Sequence, residues 1–177
     1  MHTDKRQSTM PSVPPEGSLV AQLIPGSDFH DAWSTVAKNP ALSALEQFLN
    51  AAAATPAWVN ACMAVRNCAV SLLGLKDLGP LGGFNQATPV HGYLPGDRVG
   101  IFTLVENTFD EVLLKDQDKH LTVIVSVHLQ RVVPSQVVVT VTTVVTVHNL
   151  LGHLYMAVIK PMHRLIAPAV LSALHTR

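Results

Sequence analysis

Residues 121–129 alternate. Leu121, Val123, Val125, Val127 and Leu129 are large aliphatics, and Thr122, Ile124, Ser126 and His128 stand between them. A period of two marks a strand with one apolar face. The stretch QVVVTVTTVVTVHN (136–149) repeats the signal. It is rich in Val and Thr, the β-branched residues that suit a pleated surface. Its odd positions are Val137, Val139, Val141, Thr143, Val145 and Val147. RVGIFTLVEN (98–107) and EVLLK (111–115) read as two earlier strands, with turns at Thr108–Asp110, DQD and Pro134. Short turns make these four strands an antiparallel meander. From Leu150 the period becomes helical. Leu151, Leu154, Tyr155, Val158, Met162, Leu165, Ile166 and Ala169 form the expected apolar face. Pro161 and Pro168 are each expected to kink or break this helix, because proline lacks the N–H that bonds to i−4.

The N-terminal half reads differently. SLVAQLI (18–24) suggests a short strand ended by Pro25-Gly26, and residues 28–38 are ambiguous. Pro40 opens a helix at ALSALEQFLNAAAA, since proline is tolerated in a first turn. Thr55-Pro56 repeats that signal ahead of AWVNACMAVRNCAVSLLGL. There Trp58, Ala61, Cys62, Val65, Ala69 and Leu72 recur at helical spacing, and Gly74 ends the helix. Residues 75–97 are rich in Gly and Pro and predict a long loop, a common form for a lid or for a simply mobile segment. The first 17 residues are polar and Pro-rich without an apolar run, so a disordered tail and no signal peptide are expected. Residues 18–177 then make one α+β domain. Its architecture is a curved antiparallel sheet with a long C-terminal helix across the apolar face, and two helices between the first strand and the meander. No internal repeat is visible.

Composition supports this picture. The chain has 177 residues, 48% apolar and 14% charged, and its formal net charge is zero. That is enough to bury one core, and it gives no global field for nucleic acid. No Asp or Glu follows Asp118, and the last 59 residues carry Lys119, Arg131, Lys160, Arg164, Arg177 and six histidines. This half is able to meet an anion or an anionic surface; ordinary solvated charges are the simpler reading. The most apolar long stretch, 154–174, is interrupted by Lys160, His163 and Arg164, so no membrane span is expected. Cys62 and Cys68 lie six apart on one helix, a rotation of about 600°, and point to different faces. They are expected to be reduced buried thiols in a cytoplasmic protein.

The element order is that of a helix-grip domain, as in START-like and Bet v 1-like proteins. At the level of residues the chain resembles a bacterial family of unknown function, DUF2867, over roughly residues 18–175. The matching segments are the WVNACMAVRNCAVSLLGL helix, the turn Gly96-Asp97-Arg98-Val99-Gly100, the strand start Asp118-Lys119-His120-Leu121, and TTVVTVHNLLGHLYMAVIKPMHRLI. Some relatives carry a similar domain behind a short-chain-dehydrogenase-like nucleotide-binding domain. Here the glycines at 79, 82 and 83 form no GxGxxG after a strand, and no cofactor is expected. Relatives are expected to carry an acidic residue after Arg66, where this chain has Asn67. The resemblance implies a fold that often encloses an apolar ligand cavity, and it carries over no catalytic residue.

Two site candidates emerge from the residues. Opposed side chains of an antiparallel pair share a face. Centring the last hairpin on Pro134 pairs Leu129 with Val139 and Leu121 with Val147, and sets His120 opposite His148. A two-residue shift sets Asp118 opposite His148. Either register gathers Asp118, His120 and His148 at one end, with His153 in the next helical turn. His128 lies about 26 Å along the strand from His120 and cannot join them. Such a cluster suits a divalent metal or acid–base work; ordinary surface pairs on a solvent face are the simpler reading. The second candidate is the cavity between sheet and final helix. Tyr155 and Thr143 offer hydroxyls there. Asp97 sits beside the long loop, with turn chemistry as its alternative role. Arg66 is expected to snorkel outward, with a cavity role as the alternative. No GxSxG or CxxC motif is present.

Three functions compete. A binding module would hold a small apolar molecule, and a solid core with no pocket above ~300 Å³ would count against it. An enzyme would use Asp118, His120 and His148 or the cavity hydroxyls. An interaction protein would use the cationic C-terminal helix on a partner or a membrane surface, or dimerise through EVLLK as an edge strand.

Overall fold

Alternation dominates the second half of the chain, and the sheet follows from it. The computed structural model describes residues 9–71, 83, 89–133 and 135–175. Its strands are β1 (Met10–Ser12), β2 (Phe29–Ala37), β3 (Arg98–Val99), β4 (Phe102–Asn107), β5 (Glu111–Gln117), β6 (Leu121–Val133) and β7 (Gln136–Val147). They form one antiparallel sheet in the order β1-β2-β7-β6-β5-β4-β3. Register shifts at Leu104/Glu106 and Arg131/Val133 act as bulges and curve it. The helices are α1 (Ala44–Ala53), α2 (Ala57–Ser71) and α3 (Leu150–Leu171). An α+β fold with a curved sheet and a long C-terminal helix is what the pattern predicts, and it is consistent with a helix grip.

The hairpin register is the parity-matched one. Leu121 pairs with Val147 and Leu129 with Val139. The odd residues of β6 and β7 therefore share the concave face with the helices. Residues 28–38 join them: β2 pairs with β7 along its whole length and puts Phe29, Asp31, Trp33, Thr35 and Ala37 on that face.

Several elements differ from the sequence reading. Leu19–Leu23 is a 3₁₀ turn and not a strand. A short apolar run does not distinguish the two by period. Here the Glu111 carboxylate decides, accepting from Leu19 N at 2.7 Å and Val20 N at 3.3 Å. This turn covers part of the convex face, where Val20 packs with Leu113 and Val144. The convex face is thus not simply a solvent face: Ser126, Thr142 and Ser34 are buried on it. Helix α1 begins after Ser43, not at Pro40. Ser43 and Glu46 form a reciprocal capping box that fixes the start. Gly100, at φ 60°, splits the expected 98–107 strand into β3 and β4. EVLLK lies in β5, paired on both sides, so it offers no free edge. Within the stretch expected to be a disordered tail, Met10–Ser12 pairs with β2.

Helix α3 runs through both prolines. Each proline removes one helical hydrogen bond, while Met156 and Leu171, on either side, are buried against the rest of the fold and keep the segments in line. Its inward face is rotated from the expected one. Gly152, Met156 and Leu171 are buried, whereas Leu154, Val158 and Leu165 are exposed. By length and composition alone the 26-residue stretch Leu150–His175 is apolar enough to cross a membrane. In the fold it lies against β2 and β7. Gly74, Pro134, most of the 75–97 loop and the Cys68 side chain lie outside the described residues.

Candidate functional site: an apolar cavity with a polar wall

The concave sheet and the helices do not close fully on each other. A cavity of about 240 Å³ lies between them. Its floor is Val123, Val125, Val127, Val139, Val141, Thr143 and Val145, the odd residues of β6 and β7. Phe48 and Ala51 of α1, Cys62 and Met63 of α2, and Met156, Ile159 and Ile166 of α3 complete the walls. The core is therefore not solid. The cavity's volume falls short of the ~300 Å³ set for a binding module, which counts against a drug-sized ligand and leaves room for a compact molecule only.

Apart from Gln47, whose Nε2 donates to Asn39 O at 2.8 Å, polar groups gather at two places. In the β2–β7 ladder Asp31 stands opposite Thr143. His163, from the middle of α3, bridges them. Its Nδ1 is 3.0 Å from Asp31 Oδ2, and its Nε2 is 3.3 Å from Thr143 Oγ1. Trp33 Nε1 donates to the same Asp31 oxygen at 3.3 Å. The other carboxylate oxygen, Oδ1, is buried with no hydrogen-bond partner among the described residues. Phe29 meets the His163 ring edge-on, with centroids 6.0 Å apart. Thr143 and His163 line the cavity; Asp31 stands behind them.

The second polar place is at Tyr155, eight residues before His163 and about 12 Å along the helix. Arg66 Nε donates to the Tyr155 hydroxyl at 2.9 Å, and its carbon Cζ sits 5.4 Å from the ring centroid. Arg66 also donates to Asn67 Oδ1 at 2.8 Å, so the amide oxygen serves where a carboxylate was expected. Arg66, Tyr155 and Asp116 all line the cavity.

The family model "Protein of unknown function (DUF2867)" matches residues 23–170. The chain belongs to this family. No curated protein matches it, and no solved structure does. The DUF2867 match spans both polar places and every strand of the cavity floor.

The hairpin-end residues are close in this DUF2867 chain but engage in separate bonds. His148 N donates to the His120 carbonyl at 2.8 Å. The His120 ring is buried, with Nδ1 3.0 Å from Asn149 Oδ1 and with Nε2 lacking a hydrogen-bond partner among the described residues. His148 is exposed, and its Nε2 lies 2.9 Å from Thr122 Oγ1. Asp118 Oδ1 accepts from His120 N and Leu121 N and forms the turn. His153 is exposed. Among the described residues, no three His, Cys, Asp or Glu side chains form a group suited to a metal. Asp97 is exposed and accepts from Leu94 N at 2.8 Å, which is turn chemistry; it does not line the cavity. Thr143, Tyr155 and Arg66 do line it. The sequence reading did not single out Asp31 and His163. The signal for Asp31 was a lone acid on the otherwise less polar face of FHDAWSTVA. For His163 it was a histidine in step with Tyr155, Ile159 and Ile166.

Proposed function

We propose that this chain binds a compact, largely apolar small molecule between the sheet and α3. The observation that carries this reading is the cavity of 240 Å³ floored by seven residues of β6 and β7, all but Thr143 valines. Well-packed interiors hold few voids larger than a water. The pocket is partly open to solvent, so its apolar wall meets water. An apolar occupant would cover that wall, release the water and gain dispersion contacts. Few, localised polar groups on such a wall are the usual means of orienting a ligand.

Native mass spectrometry of the purified chain, paired with thermal shift against small apolar probes, tests this. The expected outcome is a co-purified mass or a probe that raises the melting temperature. Val141→Phe, which fills the floor, should abolish either signal. A bare chain with no stabilising probe overturns the reading.

A further inference from the structure

We infer that the Asp31–His163–Thr143 array reads one hydroxyl group on the cavity's ligand, so that the ligand class is a small apolar alcohol or phenol. This rests on the cavity reading above.

The argument begins with the carboxylate. An ionised Asp only accepts hydrogen bonds. With Asp31 Oδ2 3.0 Å away, His163 Nδ1 must carry the proton and donate it. That fixes the ring's orientation and leaves Nε2 on the cavity side, beside Thr143 Oγ1. The Nε2–Oγ1 distance of 3.3 Å lies beyond the 2.7–3.2 Å usual for a hydrogen bond involving nitrogen. It is a long contact, equal in length to the Trp33–Asp31 bond, and one that a better-placed partner can replace. Both line the cavity, Thr143 buried and His163 partly exposed, so one ligand atom can reach the two together.

A hydroxyl satisfies both groups at once. It donates to Nε2 when the ring is neutral and accepts from Nε2–H when the ring is charged. The Thr143 hydroxyl rotates to supply the complementary bond. A ketone or ether oxygen can only accept, so it offers the Nε2 of a neutral ring no donor. A carboxylate brings a second negative charge up to a ring already backed by Asp31. Arg66 is committed to Tyr155 and Asn67, two helical turns away. Arg164 is exposed and lines a groove on the outer side of Asp31, not the cavity.

Binding is favoured over nucleophilic catalysis by Thr143 on one structural ground. Strand β7 is paired with β2 on one side and β6 on the other through residue 143. Its backbone N–H groups are spent in the ladder and cannot stabilise an oxyanion.

Three size-matched probes test the inference: naphthalene, 2-naphthol and 2-naphthoate, titrated by calorimetry. In the wild-type chain 2-naphthol should bind roughly 2- to 12-fold more tightly than naphthalene, the net worth of one hydrogen bond, and 2-naphthoate should bind least. In His163→Leu that preference should vanish while naphthalene still binds. Thr143→Val, nearly isosteric on the cavity floor, should reduce the preference and serves if His163→Leu does not fold. A naphthol preference that is absent, one that survives both variants, or a tightest fit for 2-naphthoate overturns the hydroxyl reading and leaves the cavity intact. No binding of any of the three overturns both.

Discussion

The carbonyl oxygen of His120 occupies the space that a side chain on residue 152 would need. A Cβ built on Gly152 would collide with that oxygen and with Val147 Cγ1. The first turn of α3 therefore docks backbone-to-backbone on the β6–β7 hairpin end. Asn149 completes the joint, accepting from Gly152 N at 3.1 Å and donating through Nδ2 to Lys119 O at 3.0 Å. Gly152→Ala must push the helix off the sheet. A destabilisation of about 1–3 kcal/mol, the usual cost of overpacking, is expected in urea unfolding. Leu154→Ala, on the exposed side of the same turn, should stay within roughly 0.5 kcal/mol of wild type. Equal effects at the two positions would show that the close approach does not constrain the helix.

Glu111 fastens the 3₁₀ turn to the convex face. Its carboxylate accepts from Leu19 N, Val20 N and, at 2.7 Å, Ser126 Oγ, and the residue is buried. Hydrogen bonds to a charged group are each worth about 1.5–3 kcal/mol. Glu111→Ala should thus lower stability by several kcal/mol. Glu111→Gln keeps an accepting oxygen and should cost less. Hydrogen exchange at Leu19 and Val20 separates local from global loss. Fast exchange there in Glu111→Ala, with β7 still protected, is the expected result.

The capping box of α1 makes a smaller and cleaner prediction. Ser43 Oγ accepts from Glu46 N at 3.4 Å, and Glu46 Oε2 accepts from Ser43 N at 2.7 Å. Ser43→Ala should cost about 1 kcal/mol, as loss of an N-cap usually does. Glu46→Ala in the Ser43→Ala background should add less than it does alone, because the two side chains act as one device. A double-mutant cycle measures this, and strict additivity would refute the coupling.

The last hairpin was legible because parity leaves few choices: two strands with odd-numbered aliphatics must pair odd to odd. The order of helices and strands followed from changes of period. Residues 28–38 were obscure because Asp31 and Thr35 interrupt the apolar face of what became β2. The same interruption is half of the polar array. Its other half, His163, lies 132 residues away. It stands beside Arg164 and Lys160, where it reads as one more cation on a helix. No local pattern links the two; only the β2–β7 register and the rotation of α3 do. That rotation was misjudged because Leu154, Val158 and Leu165 extend the apolar stripe to a second flank, and period alone does not say which flank meets the sheet. The histidines of the hairpin end were visible for the opposite reason, being close in register. Their rings go to separate partners, His120 to the cap residue Asn149 and His148 to Thr122 of β6.

Cys62 reports on the cavity directly. Its thiol is free, partly accessible, and part of the cavity lining. In a Cys68→Ser background N-ethylmaleimide should alkylate this one residue. A ligand that fills the cavity must slow that reaction in proportion to occupancy. At ten times Kd only about one site in eleven is open, so the rate should fall roughly tenfold. The relation runs both ways. Once Cys62 carries the maleimide adduct, the added bulk takes up cavity volume, and 2-naphthol affinity should drop. A probe that binds by calorimetry yet leaves the alkylation rate unchanged binds somewhere else on the chain. Protection at Cys62 in wild type, lost in Val141→Phe, would tie the bound molecule to the floor of the sheet and to the α2 wall at once.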